Sequence, residues 1–265
     1  MLAFVVSVRP EDVEVASDAL WGLGVVAVEE RGTPNGDVEL WTSLGDVDPS
    51  TIVWPPAWPW RLVEVDERVA DTWRSFATPI VVQPDLVVRP AWVTYDAPDG
   101  VTVVHIEPGS TFGMGDHPTT ILSLRALRRL ITPGCTVLDV GCGSGVLAIS
   151  ACRFGAASAV GVDIAPAAVP VTQANAAANG VAEQVTVSTT LLEDVVGTFD
   201  VVVGNLLAPT LVALAEDLRR VMAPGGALVV SGILASAHTH VLDALAPLRV
   251  TATDELDGWV AVTLR

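Results

Sequence analysis

Three short stretches hold the residues that could do chemistry. In "VLDVGCGSGVLA", residues 137–148, Gly141, Gly143 and Gly145 alternate with other residues. Such a turn lets the backbone approach a ligand without Cβ clashes. The helix it opens offers N–H groups to a carboxylate or phosphate. Asp163 closes the next apolar run, where an acid can accept both hydroxyls of a ribose. In "FDVVVGNLLAP", residues 199–209, Asn205 stands at a strand tip, and its carboxamide can accept a hydrogen bond from an incoming amine. The third stretch, "PGSTFGMGDHPTT", residues 108–120, packs three glycines, His117 and the pair Thr119–Thr120 into a segment without regular hydrophobic period.

The spacing narrows the ligand. A dinucleotide fingerprint needs G-x-G-x-x-G; here Val146 occupies the place of the third glycine. Asp139, inside the strand before the turn, adds a negative charge. That is unfavourable beside a pyrophosphate and suits a ligand with an ammonium and a sulfonium, as in S-adenosylmethionine. A glycine turn alone would be strand-to-helix punctuation, and Asn205 alone an ordinary turn former. Asp139 before the turn and Asp163 after it turn the reading toward an adenosine-containing cofactor.

Composition removes other chemistries. All fourteen basic residues are Arg. No P-loop lysine, Schiff-base lysine or pyridoxal anchor is therefore possible. The formal net charge of -17 repels a phosphate backbone and would attract a basic protein. Cys135, Cys142 and Cys152 lack paired metal spacing, and His238 and His240 have no third ligand nearby, so no metal site is expected. An odd cysteine count without an export signal predicts a reduced, cytoplasmic setting. No apolar run is long enough to span a membrane.

The elements that must position these residues follow from pattern. "LAFVVSV", "PEDVEVASDALWGLG", "VVAVEE" and "DVELWTS" predict strand, helix, strand, strand: a small α+β unit over residues 1–53. "WPPAWPW", residues 54–60, cannot be a helix or a central strand. It opens a predicted linker over 54–95, with a helix in "VDERVADTWRSFA" and extended segments after it. From 96 to 265 strands and helices alternate, with helices ended by Gly155, by Gly180 and by "APGG". Such alternation predicts a parallel sheet covered on both faces, with the ligand beyond the carboxyl ends of its strands.

Residues from about 60 to 265 resemble the bacterial ribosomal protein methyltransferase family that acts on protein eleven of the large subunit. The resemblance rests on "EPGSTFGMGDHPTT", "VLDVGCGSGVLAI", "GVDIAPAAVPVTQANAAANGV", "NLLAPTLVALAEDL" and "PGGALVVSGIL". It implies a class I, Rossmann-like methyltransferase sheet of seven strands, preceded by a small ferredoxin-like domain that recognises the substrate protein. It implies transfer of methyl groups from S-adenosyl-L-methionine to α-amino or lysine amines of a ribosomal protein. From charge and hydropathy no nucleic acid and no membrane is expected as a partner, and a monomer is expected. Other proteins, small molecules and nucleic-acid amines are the alternative acceptors. By the same resemblance Thr120, Gly141, Asp163 and Asn205 match cofactor contacts, Gly143 belongs to the same turn, and Phe112 and His117 shape a loop that closes over the cofactor. For His117 a structural part, fixing the loop, is favoured over a general base. The sequence departs from the family at Met114, where a threonine is usual.

Overall fold

The computed structural model describes residues 2–21, 23, 25, 28–42, 44, 49, 52, 54–64, 78–107 and 115–265. The chain divides into two units, Met1–Ala77 and Thr78–Arg265. The first contains β1 (Leu2–Val8), α1 (Val13–Trp21), β2 (Val28–Gly32), β3 (Val38–Thr42) and β4 (Trp60–Glu64). Its sheet is antiparallel with the order β2-β3-β1-β4. Alternation along β1 puts Phe4, Val6 and Val8 on one face, against Ala16 and Leu20, one turn apart on α1. The segment in which a ferredoxin-like unit would carry its second helix, 43–53, lies largely outside the described residues.

The domain boundaries differ from the sequence expectation. Trp54 stacks on Phe4 with ring centroids 5.6 Å apart, Trp58 is buried, and Trp60 opens β4, which pairs with β1. The first part of the expected linker therefore belongs to the first unit, because its aromatic rings find more apolar surface there than in water. The expected linker helix, 65–77, lies outside the described residues. Beyond it, β5 (Ile80–Gln83), β6 (Leu86–Pro90) and β7 (Thr102–Ile106) form a three-stranded sheet in the second unit. Val82, Leu86, Val88, Val104 and Ile106 are buried in that unit's core, which is why the chain here is not a linker.

The rest of the second unit runs α2 (Pro118–Leu130), β8 (Thr136–Val140), α3 (Val146–Arg153), β9 (Ser158–Val162), α4 (Ala168–Ala178), β10 (Val185–Ser188), β11 (Phe199–Asn205), α5 (Ala208–Ala213), α6 (Ala215–Arg220), β12 (Met222–Leu234), α7 (Thr239–Ala244), β13 (Val250–Leu256) and β14 (Trp259–Leu264). Seven strands form one sheet in the order β10-β9-β8-β11-β12-β14-β13. Only β14 runs against its neighbours β12 and β13. Alternate residues feed two cores. Val137, Val201, Val203 and Val229 face α2 and α3. Leu138, Val202, Leu228 and Val230 face α5, α6 and α7. The expected sheet with helices on both faces is thus present. One helix differs: the run from Ala208 breaks at Leu214 (φ -91°, ψ 3°), giving two short helices, and β12 begins earlier than the apolar run suggests.

One residue on β12 sets how closely the chain packs beyond β11. Gly232 has φ +86°, and a Cβ there would sit 2.3 Å from the Leu206 carbonyl oxygen. That neighbour is backbone and cannot swing aside. Gly232→Ala is expected to destabilise the protein by about 1–3 kcal/mol, read as a lower denaturant midpoint with an unchanged slope. An unchanged midpoint would show that this approach is looser than described.

Candidate active site

Strands β9, β8 and β11 are neighbours, and their register fixes the site. Val162 pairs with Val140, and Val140 with Gly204. The next residue on each strand is Asp163, Gly141 and Asn205. All three therefore stand at one level at the carboxyl ends. The chain winds outward from β8 through β9 to β10 on one side and returns at β11 on the other. Gly141 and Asn205 flank this switch point, where open α/β sheets bind their ligands.

Local contacts complete the arrangement. The Gly141 N–H donates to the Val162 carbonyl at 2.8 Å, and the Gly143 N–H donates to Asp163 Oδ2 at 2.8 Å. Asp163 Oδ1 accepts from the Ala165 N–H at 2.9 Å, so the carboxylate is fixed in direction while keeping lone pairs on both oxygens. Gly141 has φ +73°, and a Cβ there would lie 2.4 Å from Leu206 Cδ2. The glycine turn thus packs directly on the residue after Asn205. The Asn205 Nδ2 donates to Thr120 Oγ1 at 3.5 Å, which joins the buried first turn of α2 to the tip of β11. Asn205 Oδ1 has no protein partner among the described residues.

His117 caps α2: its Nδ1 accepts from the Thr119 N–H at 3.3 Å and lies 2.8 Å from Thr119 Oγ1. Burial lowers its pKa, so the ring is neutral at pH 7. This geometry is that of a residue fixing the start of α2. Its ring meets Trp259 edge-on, with centroids 5.1 Å apart. Sequence reading missed Trp259, because no spacing rule links a ring in the last strand to a cap so far upstream. Thr120, Gly141, Gly143, Asp163, Asn205 and His117 are brought to the carboxyl end of one sheet; Phe112 and Met114 lie outside the described residues.

The electrostatics differ from the simplest expectation. Asp139 does not face the cleft. It shares the parity of Val137, points under α3 and is wholly buried, with Oδ2 accepting from the Ala148 N–H at 3.0 Å. Its Oδ1 has no partner among the described residues. Burial, aided by the nearby Asp163 charge, pushes its pKa up to about 7. Burial likewise holds the thiols of Cys142 and Cys152 protonated. Among the described residues no Arg pairs with Asp139 or Asp163. Of the two carboxyl groups, Asp163 alone faces the cleft beside the close-packed turn, with no Arg paired to it among the described residues, which suits a ligand bearing hydroxyls or positive charge and disfavours one rich in phosphate.

The sequence model of the family described as "Ribosomal protein L11 methyltransferase (PrmA)" matches residues 58–265. The chain belongs to this family. It is 44% identical over 203 residues to a ribosomal protein L11 methyltransferase of Pelotomaculum thermopropionicum, covering 76% of this chain and 66% of the relative. It is 40% identical over 222 residues to that of Symbiobacterium thermophilum, covering 83% and 69%. The chain thus spans about two thirds of the length of the curated relatives it matches. A solved ribosomal protein L11 methylase from Lactobacillus delbrueckii subsp. bulgaricus aligns with a TM-score of 0.65 at 30% identity, covering 71% of this chain and 96% of that one. The PrmA match includes every site residue described above.

A buried carboxyl with a raised pKa gives a pH signature. Below the ordinary carboxylate range Asp139 is protonated whether folded or unfolded, and its burial carries no charge penalty. From there up to about pH 7 the unfolded chain releases the proton while the fold retains it, so stability falls as the pH rises. Above about 7 the penalty is fully present. Asp139→Asn should raise the thermal midpoint at pH 8 by about 2–4 °C, and the gain should shrink as the pH falls to 5. Equal midpoints for variant and parent at pH 8 would show that the buried charge carries no penalty.

Proposed function

We propose that the chain is a protein N-methyltransferase that uses S-adenosyl-L-methionine and takes ribosomal protein L11 as its acceptor. The observation that carries this is the level alignment of Asp163, Gly141 and Asn205 across three neighbouring strands, with no Arg paired to Asp163 among the described residues. Asp163 would hold the ribose hydroxyls, the turn from Gly141 to Gly145 would follow the amino-acid portion, and Asn205 would face the incoming amine. When bound, the cofactor supplies an activated methyl group on a sulfonium.

The protein's remaining task is alignment and exclusion of water. Asn205 Nδ2 is held by Thr120, so Oδ1 is left to accept a hydrogen bond from the amine. The close packing of Leu206 on Gly141 and Gly232 keeps that carboxamide from drifting. The nucleophile must be neutral. At pH 7 deprotonation costs a lysine of pKa ~10.4 roughly 4.6 kcal/mol and an α-amine of pKa ~8 about 1.4 kcal/mol. An α-amine is the easier acceptor, and a lysine needs a desolvated pocket to lower its pKa. His117, neutral and engaged at the start of α2, positions that segment and is not assigned the proton.

The acidic chain suits a basic acceptor protein and disfavours nucleic acid. We assign recognition of the acceptor to the first unit, Met1–Ala77, catalysis to the second unit, and action to a monomer in the cytoplasm. Among the described residues no helix is long and apolar enough to cross a membrane. The test is transfer of labelled methyl groups from S-adenosylmethionine to purified large-subunit ribosomal proteins and, separately, to ribosomal RNA and free amines. Label on L11 is expected; label on RNA or free amines alone would overturn the reading. Asn205→Ala should lower turnover by more than about tenfold, the loss of one positioned hydrogen bond in the transition state. Equal turnover of variant and parent would remove Asn205 from the mechanism.

A further inference from the structure

Helix α4 carries a row of buried polar side chains. Thr172 is fully buried, Asn175 is 3% exposed and Asn179, just past the end of the helix, is 7% exposed. The three lie at i, i+3 and i+7, one face of a helix. Buried amides and hydroxyls are tolerated only when bonded, and these are bonded in a particular pattern.

Asn179 Oδ1 accepts from the His105 N–H at 2.8 Å, and its Nδ2 donates to the His105 carbonyl at 2.7 Å. Asn175 repeats this with Glu107: Oδ1 accepts from its N–H at 2.9 Å and Nδ2 donates to its carbonyl at 2.9 Å. Residues 105 and 107 present these groups on the outer edge of β7, since the Thr102 N–H and the Ile106 carbonyl bond toward β6 and the chain that adjoins it. Four residues of helix rise roughly 6 Å and two residues of strand roughly 6.6 Å. Two carboxamides one turn apart on α4 can therefore pair with alternate residues of β7 as a strand would.

The row also reaches the glycine turn. Thr172 Oγ1 donates to the Gly143 carbonyl at 3.0 Å, and the Nδ2 of Asn175 donates to the Ser144 carbonyl at 2.9 Å. In a planar trans peptide the C=O and N–H point opposite ways. Drawing these two carbonyls toward α4 sets which way the adjoining amides face. Asn175 bonds both the turn and the chain leaving β7, whereas Asn179 bonds only β7 and its own helix.

We propose that Thr172 and Asn175 are positioning residues that lock the glycine turn and the end of β7 into one unit, and so set the affinity for the methyl donor. This rests on the turn being the donor's binding site. The test is calorimetric titration of the full chain with S-adenosylmethionine and with S-adenosylhomocysteine, alongside thermal unfolding. Thr172→Val keeps the shape and removes the hydroxyl; Thr172→Ser keeps the hydroxyl and removes the methyl. Thr172→Val and Asn175→Ala should each raise Kd by about tenfold, one hydrogen bond's worth, while Thr172→Ser restores affinity to within about threefold of the parent. Asn179→Ala should lower the unfolding midpoint and leave Kd unchanged. If Thr172→Val binds as the parent does, or if Asn175→Ala and Asn179→Ala change Kd alike, the positioning role is wrong. If the parent binds neither sulfur compound, the functional reading itself fails.

Discussion

The site depends on the register of three parallel strands. Val162, Val140 and Gly204 are paired across β9, β8 and β11, and only this pairing brings the next residue of each to the same height. Side chains alternate along a strand, so a slip of one residue would turn the set to the opposite face. The two cores hold the register: Val137, Val201 and Val203 fill one, and Leu138 and Val202 the other. A one-residue slip would also exchange those sets between two differently shaped cores. The geometry of the candidate site and the hydrophobic packing are consequently one constraint.

Charge is placed as selectively as the strands are. Several arginines of the second unit hold backbone carbonyls and surface acids. Arg219 bonds the Ala244 and Ala246 carbonyls, Arg220 bonds Val195 and Leu192, and Arg128 pairs with Asp85. None of these is directed at Asp139 or Asp163. Asp163 is held by backbone N–H groups and not by an Arg, and Asp139 keeps an unpaired oxygen in a fully buried place among the described residues. A buried polar atom without a partner destabilises the fold.

Much of this was legible in the sequence. The glycine turn, the acid one strand later and the asparagine at a strand tip are local signals, and local signals survive without coordinates. The layering of helices on both faces of the sheet followed from strand–helix alternation. What was not legible depended on distance along the chain or on burial. The "WPPAWPW" stretch reads as a connector whose rings pack on a domain, but nothing local in it says that Trp60 opens a strand beside β1 or that the rings settle on Phe4. Thr172, Asn175 and Asn179 have the spacing of a solvated helix face, and only coordinates reveal that the face is covered. Trp259 reaches His117 because β14 returns beside β12, a long-range pairing that periodicity does not record.

The asparagine pairs on the α4 face have a consequence apart from ligand affinity. β7 is the last strand of its sheet, and bare strand edges are templates on which other chains add. With the outward N–H and C=O groups of His105 and Glu107 already taken by side-chain amides, that edge offers a foreign strand little to pair with. The helix thereby guards the molecule against edge-to-edge aggregation with nothing more than two carboxamides.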